Sequence, residues 1–203
     1  MNRTVPKPLR VLSFVLLFAA FVYGLVLPFC WGNDPSDKYG TLSLLCENRI
    51  GWFWLWTVLT GGAFSSNLLL LWNERGDRSR HLRVLLVLAM AGMLLTAATL
   101  HHSIQTLNPK RVLHWTGAIL YAVFLGAAFL FFFFKNAKKD RRILALLLLS
   151  VLTLVGVVLQ LFVFGRNGYM EIVPLAVFEL ELFLLNFTPF GRAKAEAPVK
   201  AEA

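Results

Sequence analysis

FLFFFF, residues 129–134, puts five phenylalanines into six positions. On a surface facing water such a segment is an aggregation hazard, because it is strongly apolar, uncharged and free of proline. In lipid it is an ordinary solvated surface, so the reading of this stretch chooses the solvent. The rest of the chain agrees with lipid. Of its 203 residues 58% are apolar and 15% charged, whereas soluble domains run to about 45–50% and about 25%.

Working outward from this stretch, apolar runs cover about 11–29, 50–72, 82–102, 112–134, 143–164 and 169–188. A helix of about 20 residues crosses the hydrocarbon core and satisfies its own backbone there. The expected fold is therefore all-α, a polytopic membrane bundle of six transmembrane helices over residues 1–190. A small, polar tail, GRAKAEAPVKAEA (191–203), is expected to be disordered. The last run is the weakest, since PLAVFELELFLL (174–185) carries Pro174, Glu179 and Glu181; five spans is the alternative. The first run has the basic start of a signal peptide at Arg3, Lys7 and Arg10. It is too long for a typical signal core and lacks a small-residue cleavage site, so it reads as a retained span.

Charge sets the orientation. With six spans, fifteen Lys and Arg residues fall at the two termini and in the second and fourth connections. Only Lys38, Arg49, Lys110, Arg111 and Arg166 fall on the other side. Positive loops stay cytoplasmic, so both termini are expected there. Trp31, Trp52, Trp54 and Trp115 fall at the expected outer boundaries and Trp72 at an inner one, as an aromatic belt requires. The formal charge of +9 is thus assigned to topology and anionic lipid. No aromatic–basic constellation points to nucleic acid.

Cys30 and Cys46 both lie in the first outer connection, separated by WGNDPSDKYGTLSLL. An oxidising compartment would favour a disulfide, worth about 3 kcal/mol for a loop of this length; two free thiols are the alternative. The expected outer loops hold no N-x-S/T sequon, which points to a bacterial inner membrane, with a eukaryotic endomembrane as the alternative.

Intramembrane polar groups are the candidate functional residues. Glu179 sits about ten residues into its run, near the bilayer midplane, where a charge costs a few kcal/mol. It shares a helix face with Asn186, seven positions on, and is expected to face the bundle interior. Glu181 lies about 200° away around the helix and must face elsewhere. Glu179 is either an interhelical hydrogen-bonding group or a ligand or proton site. Tyr121 is among its candidate partners. Toward the outer side lie His101, His102, His114, Gln160 and Glu171, so any cavity is expected to open outward. No spacing among the histidines fixes a metal geometry. All but His81 lie on one side, which argues against paired haem ligands. No metal and no cofactor are expected.

HWTGAILYAVFLGAAF (114–129) opens with His114, then the pair Gly117–Ala118, then an aromatic-rich helix. AVFELELFLL (176–185) places Glu179 after a stretch of small and aromatic residues. Together these resemble the fourth and last spans of the DRAM-like membrane proteins, a group that includes the fibroblast-growth-factor-receptor-activating protein. The family pattern often has an acidic residue just after the histidine, where this chain has Trp115 and Thr116. The resemblance implies a six-span fold and a lipid-linked role; bacterial six-span families look similar.

The expected function is binding or handling of a lipid or other amphiphile through an outward cavity containing His114 and Glu179. A structural or accessory subunit, with protein partners or as a homo-oligomer, is the alternative, and a small secondary transporter a further one. Neither G-x-S-x-G nor H-x-x-x-H occurs, which points away from an enzyme.

Overall fold

A computed structural model describes residues 5–37, 40–77, 79–100, 108–138 and 140–191. These form seven α-helices: α1 Lys7–Val26, the short α2 Leu42–Leu45, α3 Ile50–Glu74, α4 Arg80–Ala98, α5 Pro109–Ala137, α6 Arg141–Val163 and α7 Tyr169–Phe187. Turns of 3-10 helix, Leu27–Gly32 and Pro189–Gly191, follow α1 and α7. Five helices are long and apolar enough to cross a membrane: α1 with its 3-10 extension, α3, α4, α5 and α6. α7 coincides with the sixth apolar run, but its three glutamates set it apart from those five. His101 and His102 lie outside the described residues, as does the expected tail beyond Gly191.

Helix ends follow local chemistry. Pro109 occupies the first turn of α5, where a missing N–H costs nothing, and the Asn108 side chain accepts from Arg111 N. Asp140 caps α6 in the same way through Arg142 N. α3 stops at Gly76, whose φ of +66° suits glycine. Gly76 N donates to Asn73 O and Asp77 N to Trp72 O, the paired bonds that satisfy a helix's last carbonyls.

The long helices form a closed ring in chain order, α1–α3–α4–α5–α6–α7 and back to α1, and α7 also packs on α3. The phenylalanine run divides along the helical period. Phe129, Phe132 and Phe133 are buried while Phe131 and Phe134 face outward. Phe129 stacks on Phe178 of α7 at 4.5 Å between ring centres and meets Phe64 of α3 edge-on. The outer surface keeps large apolar side chains such as Val22, Val87, Val123, Leu152 and Phe162. That is the surface lipid solvates.

Three arginines gather the basic end of the ring. Arg10 Nη2 donates to Asn186 O, Arg75 Nη2 to Gly191 O, and Arg142 Nη1 to Pro189 O and Phe190 O. Cations at the carbonyl end of α7 also complement its dipole. Lys135 meets both carboxylate oxygens of the buried Asp77 at 3.0 Å, tying α5 to the turn after α3. Deeper in, Asn67 Nδ2 donates to Ser13 O, and Asn186 Nδ2 donates to Asn67 O and Oδ1. This buried knot joins α1, α3 and α7, where interhelical bonds contribute about 0.6 to 2 kcal/mol. From sequence, this half of the bundle reads as poorer in polar groups apart from Ser65, Ser66 and Asn67, and Asn67 is the centre of the knot.

The disulfide expectation is corrected: Cys30 and Cys46 are free thiols. Cys30 lies at a kink within the 3-10 segment with its Sγ toward Val26 O, while Cys46 is fully buried in the core. The intervening loop is closed onto α7 instead of onto itself. Gly168 N donates to Pro35 O, and Leu42 N to Glu171 Oε2. Burial pushes the Cys46 thiol up to about 11, so almost none of it is thiolate at pH 8. A maleimide at pH 8 without reductant is expected to label one thiol in the folded protein and two in denaturant. No label in denaturant would restore the bridge.

Candidate functional site

At the end of the ring opposite the clustered arginines, a cleft of about 200 Å3 lies among α3, α4, α5, α6 and α7. Its polar lining is Ser43, Thr96, His114, Tyr121, Arg166 and Glu171; its apolar lining includes Phe53, Trp56, Met93, Leu125, Leu154 and Phe178. The two sets are graded with depth. Ser43, Arg166 and Glu171 belong to loops or first turns. Tyr121 lies seven residues along α5 from His114, about 10 Å deeper.

Each polar group has a local reason for its place. α4 ends at Ala98, so the Thr96 carbonyl belongs to the last turn, where helical partners run out. The His114 Nδ1 supplies one at 2.9 Å. A carbonyl can only accept, so Nδ1 carries the proton and the imidazole is fixed in that tautomer. His114 is 1% exposed, held in place by Gly117, which lets α5 approach α4 closely. Pro174 has no N–H to donate to the Met170 carbonyl one turn back, and both residues line the cleft. The cleft wall therefore contains a helical carbonyl without its usual partner.

At the mouth, Glu171 sits in the first turn of α7 and accepts from Leu42 N at 2.8 Å. Arg166 lies 3.6 Å from Glu171 Oε1 and 3.4 Å from Ser43 Oγ. Guanidinium–carboxylate bonds are normally about 2.7–2.9 Å, so Arg166 is loosely held. Its guanidinium also stands 5.7 Å from the Trp115 ring centre, and Arg111 stands 4.6 Å from the same ring. Deeper, the Tyr121 hydroxyl is buried without a hydrogen-bond partner among the described residues. An unsatisfied buried phenol costs about 1–3 kcal/mol, and such groups mark an unfilled requirement.

Of the residues singled out in the sequence, the cleft brings together His114, Tyr121 and Glu171. Gln160 is elsewhere, bonded to Asn167 Oδ1 beside the outer end of α6. Glu179 is 4% exposed, faces inward as expected, and touches a separate water-sized cavity beside Phe21, Gly24 and Leu42. Among the described residues nothing hydrogen-bonds it. Trp56 and Leu175 line both cavities and form the partition between them. Glu181, on the other face, accepts from Ser150 Oγ of α6 at 2.8 and 2.9 Å. Among the described residues no cluster of three His, Cys, Asp or Glu residues is placed to hold a metal ion.

Sequence reasoning missed Arg166, which was counted only as a topology charge, and the aromatic wall of Phe53, Trp56 and Phe178. Gly165, just before Arg166 and with a φ of +73°, was the available signal, because it allows the tight turn between α6 and α7.

No family model matches this chain, and neither a curated protein nor a solved structure matches it.

Proposed function

We propose that the chain is a six-span membrane protein, with α7 as the sixth span, that binds an amphiphile in the cleft between α5, α6 and α7. Both termini are cytoplasmic in this reading, so the cleft opens toward the outer leaflet of a bacterial inner membrane. Supporting it, the arginine-clamped ends of α1, α3, α6 and α7 are on one side, and the cleft is on the other.

The observation that carries the reading is the gradient within one cleft. A loosely held guanidinium stands at the mouth, an unpartnered phenol at mid-depth, and an apolar wall around both. An amphiphile satisfies all three at once. Its head group meets Arg166, a polar atom of its linkage meets Tyr121, and its chain covers Phe53, Leu125 and Phe178. Small-molecule pockets are typically about 300–1,000 Å3, so a cleft of about 200 Å3 fits one chain or part of a lipid. His114 and Glu171 hold the walls, through Thr96 and Leu42, and add to the polar lining.

Native mass spectrometry of gently extracted protein is the test. One amphiphile per chain is expected in the wild type, with retention at least about ten-fold lower in Arg166→Gln. That ratio corresponds to about 1.4 kcal/mol. A lipid-free wild type, or one bound only to another protein, would favour the accessory-subunit reading.

A further inference from the structure

At the basic end, a second cavity, of about 400 Å3, lies between the first turn of α1 and the ends of α3 and α7. Arg10, Glu74 and Arg75 face it, and Leu71, Leu185 and Phe187 form its apolar flank. We propose that this cavity is a binding site for a phosphate group, bridged by the guanidiniums of Arg10 and Arg75. It does not depend on the cleft at the other end.

The charge balance leads to this ligand. Arg75 is half-buried, and among the described residues no carboxylate lies within 4 Å of it. Its hydrogen bond goes to a neutral carbonyl, Gly191 O, at 3.1 Å. Withdrawing a cation from water without an anionic partner is costly. Arg10 is partly neutralised by Glu74 at 3.1 Å and also bonds Asn186 O. Among the residues lining the cavity one carboxylate, Glu74, faces two guanidiniums, and Asp140 acts on Arg75 only from outside that lining, so the cavity itself stays positive.

Donor geometry agrees. Every hydrogen bond that Arg10 and Arg75 make within the described residues uses Nη2. Nε and Nη1 of both side chains remain for a ligand. Nε and Nη1 lie on opposite edges of the guanidinium, so each offers a phosphate oxygen a single charge-assisted bond. The apolar flank suits an esterified phosphate carrying carbon better than the bare ion. Because the lining comes from α1, α3 and α7, a bound phosphate would clasp three helices.

Two sources share this chemistry: a phospholipid head group and a soluble phosphate ester. The test uses the full chain in detergent, by native mass spectrometry and thermal unfolding. The probes are dioleoyl phosphatidic acid, dioleoylglycerol and glycerol 3-phosphate. Expected results are one phosphatidic acid per chain, at least ten-fold preference over dioleoylglycerol, and a rise in Tm. Arg75→Gln and Arg10→Gln should each weaken binding at least ten-fold, while Arg83→Gln, on an exposed face of α4, should not. Displacement of the lipid by glycerol 3-phosphate assigns the site to soluble esters; failure to displace it assigns the site to head groups. Equal binding of phosphatidic acid and dioleoylglycerol by the wild type overturns the proposal, and needs no variant to fold. Equal binding by wild type and a folded Arg75→Gln overturns it too.

Discussion

Replacing Gly117 with leucine is expected to abolish the folded, monodisperse bundle, while the same change at Gly156 leaves it intact. A Cβ at 117 would lie 2.7 Å from Gly92 O, Thr96 N and Thr96 Oγ1; a Cβ at 92 would lie 2.6 Å from Tyr121 N. Most of these atoms are backbone and cannot rotate aside. α4 and α5 would have to separate, breaking the most intimate helix pair in the ring. Without a hydrophobic driving force between helices in lipid, close approach at small residues is a main source of their association. Overpacking usually costs about 1–3 kcal/mol. Here the clash is with backbone, so a loss above about 3 kcal/mol is expected. At Gly156 an added Cβ meets nothing within 4 Å. Size-exclusion profiles and thermal unfolding of both variants in one detergent would check this. Equal stability of the two would mean that α4 and α5 do not cross at these glycines.

Ala118→Trp is expected to eliminate the bound amphiphile while the protein remains folded. Ala118 follows Gly117 on α5 but points into the cleft and not at α4. An indole there would occupy much of the roughly 200 Å3 space against Phe53, Leu125 and Phe178. No hydrogen bond is removed, since His114, Thr96, Arg166 and Glu171 keep their partners. Stability should change by less than about 1 kcal/mol, because the indole fills space without displacing packed atoms. Native mass spectrometry would then show the bare chain. A folded Ala118→Trp protein that keeps its lipid at wild-type level would place the lipid on the outer surface, and the cleft reading would fail.

The two intramembrane glutamates have different settings. Glu181 has a hydroxyl partner on α6, Ser150, and helps fix that helix to α7. α6 is the least buried of the apolar helices, so one buried bond is a large share of its attachment. Glu179 has no partner among the described residues, and Trp56 and Leu175 separate it from the cleft. The placement of Glu179 on the inward face was legible from its spacing with Asn186. Asn186 itself bonds Asn67, which no one-dimensional pattern specifies.

The choice of lipid as solvent, the helical class and the positions of the helices were determined by the sequence alone. Hydropathy over about 20 residues is a property of consecutive residues, and a chain in lipid must close its backbone bonds within each segment. The clustering of arginines at one end follows from the same alternation. Three things required the tertiary structure: the free thiols, the cleft and the arginine-lined cavity. Cys30 and Cys46 share a loop, but that loop is anchored to α7 by Glu171 and Gly168, residues more than a hundred positions away. Arg166 and His114 lie on different elements, and only the ring closure of α4, α5 and α7 sets them around one space. Which side chains meet depends on how helices cross. In this bundle the crossing is set by contacts such as Gly92 on Gly117: both glycines read from sequence as small positions for close packing, but which one meets which is decided by the fold.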